Sequence, residues 1–290
     1  MKALLEKWYL DITTPEATGF FYIMRISLGP LSFGITGINY FKGSLTHQSF
    51  RISRIRHSGF HTLDLGHARL SLRQRDAELH IRHGRMQVSG RWRASSPGPP
   101  RPRRPLYRDE RGRCDWKIWL PKADVQLRIA SRGCESREQG TGYVDFVRSS
   151  FPAWDVPFRR LYWGRVHSRD SWGVFLALRT SDSWVTCYLD PQTVEPDVSV
   201  RLIRDSSGTA RHMDWILSPS GGSSTPIRSS ITRVLESQAV LNRGRLMNLL
   251  PDGIRKKLSS AARDEKYAVK SVAGGQEFWG IMEEVRWNEN

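Results

Sequence analysis

The sequence predicts an all-β protein of two fused β-barrel or sandwich units, with one main helix in its C-terminal half. Three observations lead there. Apolar, β-branched and aromatic residues alternate with a period of two through most of the chain. Turn residues interrupt that alternation at short intervals, which suits an antiparallel meander and not βαβ units. The chain has 290 residues, more than the ~100–200 of a usual single domain, and the units are expected at 1–152 and 153–290.

In the first half, Phe20 to Ile26, Phe60 to Leu72, Ala77 to Ile81 and Met86 to Trp92 read as strands. Turns are expected at Gly19, Gly29-Pro30, Gly43, Gly59, Gly84 and Asp109 to Gly112. The stretch from Ser95 to Pro105, rich in Pro, Gly, Ser and Arg, cannot supply a regular ladder and reads as a surface loop. Strands resume from Asp115 to Ile129 and from Glu138 to Val147, and Ser149 to Phe158, with Pro152 and Pro157, reads as the connection between units. A second series runs through Leu161 to Val166, Gly173 to Leu178, Trp184 to Leu189, Val198 to Arg204, His212 to Leu217, Tyr267 to Val272 and Phe278 to Trp287. The helix is expected near 245–263, where Leu246, Leu249, Leu250, Ile254 and Leu258 recur at helical spacing and Pro251 restarts or kinks it. The two halves are comparable sets of strands, as a duplicated β-unit would give.

Hydrophobic residues make up 39% of the chain, including 11 Trp, 11 Phe and 8 Tyr, enough for a core and a lined pocket; global disorder is excluded. The net charge of +16 suits a nucleic acid, a membrane surface or an anionic substrate. Arg51, Arg54, Arg56, Arg69, Arg73 and Arg75 are spread along strand-like segments, with one compact patch at Arg101, Arg103 and Arg104, and no nucleic-acid-binding signature accompanies them. A nucleic-acid partner is therefore disfavoured, while peripheral membrane contact and an anionic substrate stay open. Cys114, Cys134 and Cys187 have no paired spacing, which disfavours both a disulfide framework and a zinc site. With no leader-like or membrane-length apolar run, a cytoplasmic location is expected.

Specific chemistry is sparse. His80 and His83 sit three apart, with His57, His61 and His67 nearby, but strand geometry sends most of them to different faces; they are expected to be solvated or singly hydrogen-bonded. Ser149 and Ser150 lack a nucleophile elbow, and no phosphate loop, dinucleotide fingerprint or metalloprotease helix is present, so neither metal nor organic cofactor is expected.

Three islands carry a resemblance: Glu6-Lys7-Trp8-Tyr9, then Gly140-Thr141-Gly142-Tyr143-Val144-Asp145, then Tyr162-Trp163-Gly164-Arg165. In order and separation the chain resembles the lipocalin-like superfamily that contains the carotenoid hydratase hydroxyneurosporene synthase, AttH-type proteins and decalin-forming Diels-Alderases. The resemblance implies two fused lipocalin-like (calycin) units and a cavity for an elongated apolar molecule. It departs where family hydratases resemble His-Asp-His-Asn-Trp after the Tyr, since this chain reads Val144-Asp145-Phe146-Val147-Arg148. That departure puts carotenoid hydration in question.

The leading expectation is a cofactor-independent cyclase or pericyclase that folds a hydrophobic polyene, polyketide or prenylated substrate, with or without an anionic group. Asp145 and Tyr143 would donate a proton or hydrogen bonds, and Arg165 would orient the acid or meet an anionic group. Trp8, Tyr9, Phe146, Tyr162 and Trp163 would line the cavity. The alternatives are an acid-catalysed hydratase or protonation-initiated cyclase of an isoprenoid and a non-enzymatic lipid or pigment carrier. A purely structural Asp145–Arg165 ion pair is the competing reading of that motif.

Overall fold

The computed structural model describes residues 3–59, 61–96, 105–131, 134–152, 156–191, 194–195, 198–207, 210–217, 225–239, 263–273 and 276–287. Among these every regular element is a strand. The chain divides into two compact units, Met1–Pro152 and Ala153–Asn290. The helix expected near 245–263 falls on residues outside the described ones, except that Arg263 begins a strand.

Unit 1 is built from β1 (Ala3–Thr13), β2 (Ala17–Leu28), β3 (Leu31–Lys42), β4 (Leu45–Ser53), β5 (His57–Gly59), β6 (Thr62–Asp64), β7 (Ala68–Leu72), β8 (Asp76–His83), β9 (Met86–Ala94), β10 (Tyr107–Arg108), β11 (Arg113–Ser131) and β12 (Cys134–Ser149). Their order in the sheet is β4-β3-β2-β1-β12-β11-β9-β8-β7-β6-β5, with β10 paired to β11. Along that path the strands follow chain order, except that β1 pairs with β12 and joins the two ends of the unit. Unit 2 repeats the plan with β13 (Arg160–His167), β14 (Trp172–Arg179), β15 (Trp184–Leu189), β16 (Val194–Glu195), β17 (Val198–Arg204), β18 (Ala210–Leu217), β19 (Thr225–Ala239), β20 (Arg263–Ala273) and β21 (Gln276–Arg286). Its order is β16-β15-β14-β13-β21-β20-β19-β18-β17, again with first strand beside last. Each unit is a curled, lipocalin-like meander left open at a seam halfway along it.

Turn chemistry accounts for the tight hairpins. Gly29, Gly43 and Gly84 take positive φ values of 59°, 54° and 60°, a conformation that a side chain disfavours. Asp109 accepts the backbone N–H groups of Arg111 and Gly112, which fixes the expected turn there. One expected turn is instead strand interior, since Gly19 lies in β2; Gly59 ends β5, opposite Thr62 of β6. The expected strand from Phe60 to Leu72 is broken by a turn in which Leu65 N–H donates to Ala68 C=O, with Gly66 at φ 79°.

The unit 1 core forms from alternate residues: Trp8, Leu10 and Ile12 of β1, Phe21 and Ile23 of β2, Leu79 and Ile81 of β8, Val88 and Trp92 of β9, and Val144 and Phe146 of β12. Across β7 to β9 the intervening residues, such as Arg69, Arg82 and Arg91, are exposed, so these strands are wet on one side. Strands β1, β2, β3 and β12 are buried on both faces over their central residues. That difference singles out their second face as the place where polar residues are held out of water.

One test follows from the closing ladder of unit 2. At Gly280, opposite Val166, an added Cβ would stand 1.9 Å from the Arg165 carbonyl oxygen, whereas at Gly84 it would meet nothing within 4 Å and strain only the backbone. Denaturant unfolding should therefore show Gly280→Ala costing about 3 kcal/mol or more and Gly84→Ala about 1–2 kcal/mol.

Candidate functional site

Tyr143 and Asp145 stand on one face of β12, and Val144 and Phe146 on the other, because strand side chains alternate. The register with β1 sets their neighbours: Tyr9 lies beside Asp145, Asp11 beside Tyr143, and Trp8 beside Phe146. Trp8 and Phe146 pack at 4.6 Å between ring centroids inside the unit 1 core. Of the expected cavity residues in unit 1, Tyr9 alone shares a face with Tyr143 and Asp145.

The Asp145 carboxyl is buried and receives two hydrogen bonds on the same oxygen, Oδ2. Tyr143 O–H donates at 3.0 Å and Trp116 Nε1–H at 2.8 Å. Bulges in β11 bring Trp116 there. Register shifts between Ile118 and Leu120 and between Leu120 and Ala123 insert extra residues opposite Val144 and Tyr143. Before them, Trp116 and Ile118 face Asp145; after them, Ala123, Val125, Leu127 and Ile129 face the core. Pro121, which has no N–H to give a ladder, sits in the second bulge.

Two cross-strand rows organise this face. One runs Gly37, Tyr22, Tyr9, Asp145 and Ile118 across β3, β2, β1, β12 and β11; the other runs Asn39, Phe20, Asp11 and Tyr143. Gly37 is required, since a Cβ there would come within 2.0 Å of the Tyr22 ring. Tyr9 stacks on Phe20 at 6.3 Å and tilts against Tyr143 at 6.4 Å, and the Lys7 ammonium lies 5.9 Å from the Tyr9 centroid. Asn39 is buried, and its Oδ1 receives no hydrogen bond from a described residue. An acceptor left so costs about 1–3 kcal/mol.

In unit 2 the expected residues divide in the same way. Tyr162 points into the core beside Phe175, Met282 and Tyr267, and stacks on Trp184. Trp163 and Arg165 alternate to the opposite face, where both are buried and Arg165 Nη1–H donates to His167 Nδ1. That face also holds Lys266, whose buried ammonium donates to Asp264 and, at 2.9 Å, to Glu283. On the core face, Arg204 binds Glu265 at 2.5 Å and Glu284 at 2.6 Å, and Tyr267 O–H donates to Glu265 at 2.7 Å. Burial raises the Glu265 carboxyl, but the Arg204 and Tyr267 hydrogen bonds outweigh it and hold the group below the usual range. Burial and the Glu265 contact push the Tyr267 hydroxyl well above its ordinary value.

No family model matches the sequence, and no curated protein matches it. Solved structures do match. CghA, solved with Sch210972, is 12% identical with a TM-score of 0.69, over 99% of this chain and 89% of that one. The AttH-like NE1406 of Nitrosomonas europaea is 15% identical with a TM-score of 0.67, over 97% and 92%. Kievitone hydratase from Nectria haematococca is 12% identical with a TM-score of 0.58, over 99% and 89%. This is the AttH-type, lipocalin-like fold.

Within that fold, sequence reasoning missed Trp116, Asn39 and Asp11 in unit 1 and the charged clusters of β20 and β21 in unit 2. Asp264, Glu265 and Lys266 are adjacent in sequence, and only the register with Glu283 and Glu284 shows that they serve two buried clusters on opposite faces. Among the described residues no group of three or more His, Cys, Asp or Glu is arranged to hold a metal ion, and no helix is long and apolar enough to cross a membrane.

The depressed Glu265 carboxyl gives a sign to acid stability. A group whose folded pKa lies below its unfolded value of about 4.5 stabilises the fold above that value, and the contribution is lost as pH falls through the folded one. Unfolding followed from pH 7 to pH 3 should show this loss, and Glu265→Gln should lower stability at pH 7 while flattening the acid limb.

Proposed function

We propose that the chain is a cofactor-independent enzyme that binds an elongated, hydrophobic polyene, polyketide or prenylated molecule on the Asp145 face of unit 1 and folds it for intramolecular cyclisation. The observation that carries this reading is the Asp145 carboxyl, buried among aromatic rings and oriented by Tyr143 and Trp116 on a single oxygen. Held so, it is placed to act as a hydrogen-bond donor or proton source in the protonated form, and the rings of Tyr9, Phe20 and Trp116 give an apolar wall that faces developing positive charge. A substrate held folded gains several kcal/mol of effective concentration for ring closure. Asn39 Oδ1, three strands from Asp145 and so about 14 Å away, is a ready acceptor for a donor at the far end of the substrate. Trp8, Phe146 and Tyr162 take a supporting role here, since each packs within a unit core. Arg165 and Trp163 remain proposed partners of an anionic group and of apolar surface.

Acid-catalysed hydration is the second reading, and one observation favours it. Val144 and Phe146, which replace the histidines of family hydratases, point into the unit 1 core and away from Asp145. The departure in the motif therefore leaves the Asp145 face itself altered at Val147 alone.

Asp145→Asn separates chemistry from packing. Its melting temperature and its affinity for a C20 polyene acid, read from Trp quenching, should stay near wild type, while product formation drops by about 10²–10⁴-fold. A loss of stability of roughly 3–5 kcal/mol with no specific loss of turnover would instead assign Asp145 to a buried ion pair. The polyene acid should also bind more tightly than its methyl ester, by a margin that shrinks with salt; equal, salt-insensitive binding would remove the role given to Arg165.

A further inference from the structure

The open seam of unit 1 is crossed by a chain of side-chain hydrogen bonds. Thr36 of β3 and Ser49 of β4 lie on one side; His67, in the turn before β7, and His83, at the end of β8, lie on the other. Thr36 Oγ1 is 2.9 Å from His67 Nε2 and 2.7 Å from His83 Nε2, and Ser49 Oγ is 2.7 Å from His83 Nδ1. These histidines, expected to be solvated or singly bonded, meet because the curl of the sheet brings β8 against β4, a juxtaposition that strand spacing does not report.

Proton positions along the chain follow from one fixed end. The His67 ring also hydrogen-bonds the Leu65 backbone in the way that favours its protonated form, as a carbonyl accepting a ring N–H does. With Nε2 engaged by Thr36, that donor is Nδ1–H. Neutral His67 then offers Nε2 as an acceptor at 2.9 Å, and Thr36 O–H donates to it in preference to the Arg51 carbonyl at 3.5 Å. The Thr36 oxygen in turn accepts from His83 Nε2–H, and Ser49 O–H donates to His83 Nδ1. With both rings neutral and of opposite tautomer, every link is satisfied.

We propose that Ser49, His83, Thr36 and His67 form an acid-released clasp, in which neutral rings hold β3 and β4 against β7 and β8 and protonation frees that edge. A proton on His67 Nε2 or His83 Nδ1 makes the facing hydroxyl turn from donor to acceptor, and protonating both would set two positive rings 5.5 Å apart. The charged neighbours oppose it too. Arg51 and His47 come from β4, Arg56 lies over Gly66 in the His67 turn, and Arg85 follows β8; the carboxylate of that turn, Asp64, caps the Gly66 N–H. Burial first, then His67 and Arg51, hold His83 at about 4, and burial and Arg51 lower His67. A cavity of about 540 Å³ lies against the clasp, lined by Thr46, His47, His83, Arg85, Met86 and Ser131. Its walls belong to both sides of the seam, so release widens it.

The sign is fixed. A histidine with a depressed folded pKa stabilises the closed seam above pH 6.5, and that contribution is lost as pH falls from 6.5 towards 4. Hydrogen exchange of residues 45–53, corrected for the intrinsic rate, should lose about tenfold in protection between pH 7.5 and 5.5, with β20 and β21 unchanged. Nitrogen-15 spectra at pH 7.5 should show His67 as the Nδ1–H tautomer and His83 as the Nε2–H tautomer. Thr36→Val should lower protection of residues 45–53 at pH 7.5 and flatten its pH dependence. Ser49→Ala, a milder change, should move the release to higher pH, because it withdraws the donor that stabilises neutral His83. Identical tautomers in the two rings, or protection of residues 45–53 that is independent of pH in the wild type, would overturn the clasp whatever the variants do.

Discussion

The ladder between β1 and β12 is the constraint on which unit 1 rests. Every other pairing in the unit joins strands that follow closely in the chain, whereas this one brings Leu5 against Ser149 and closes the meander. Closing a loop of that length costs entropy that local hairpins do not. Gly140 and Gly142 let the two backbones approach, since a Cβ would stand 2.6 Å from Thr13 O at the first and 2.2 Å from Asp11 O at the second. The gap at Gly142 also admits the Trp92 indole, whose N–H donates to Asp11 O at 2.6 Å. The Gly-x-Gly motif is thus explained by packing, and the packing sets the register that delivers Asp145 to Tyr9.

The same ladder separates two kinds of burial. On the core face, Trp8, Phe146 and their neighbours gain from leaving water, at about 25 cal/mol per Å² of apolar surface. On the other face, burying Asp145, Asp11 and Asn39 costs free energy that only hydrogen bonds offset. Asp145 is provided with donors by Tyr143 from its own strand and by Trp116 from a bulged one. Polar groups kept dry at such cost on a two-sided sheet are what distinguish this face from the one-sided, arginine-studded strands β7 to β9.

Unit 2 shows what the same topology does with other residues. Its closing ladder, β13 with β21, again depends on a glycine, Gly280, and again divides a packed core from a buried polar face. Its core face, however, carries the half-buried Arg204 and Arg286, ion-paired with the buried Glu265 and Glu284.

Period-two alternation and turn residues were enough to determine an all-β chain of two similar halves, because both are local properties of the backbone. The islands around Trp8, Tyr143 and Trp163 likewise marked the first, last and first strands of the two closing ladders. Local pattern could not show the bulges that swing Trp116 towards Asp145, nor which of Trp8 and Tyr9 faces it, since one inserted residue reverses every side chain beyond it. Nor could it show that Glu265 and Lys266, adjacent in sequence, serve separate clusters, or that His67 and His83 share Thr36. Those relations are distances between strands far apart in the chain, and only the closed sheet sets them.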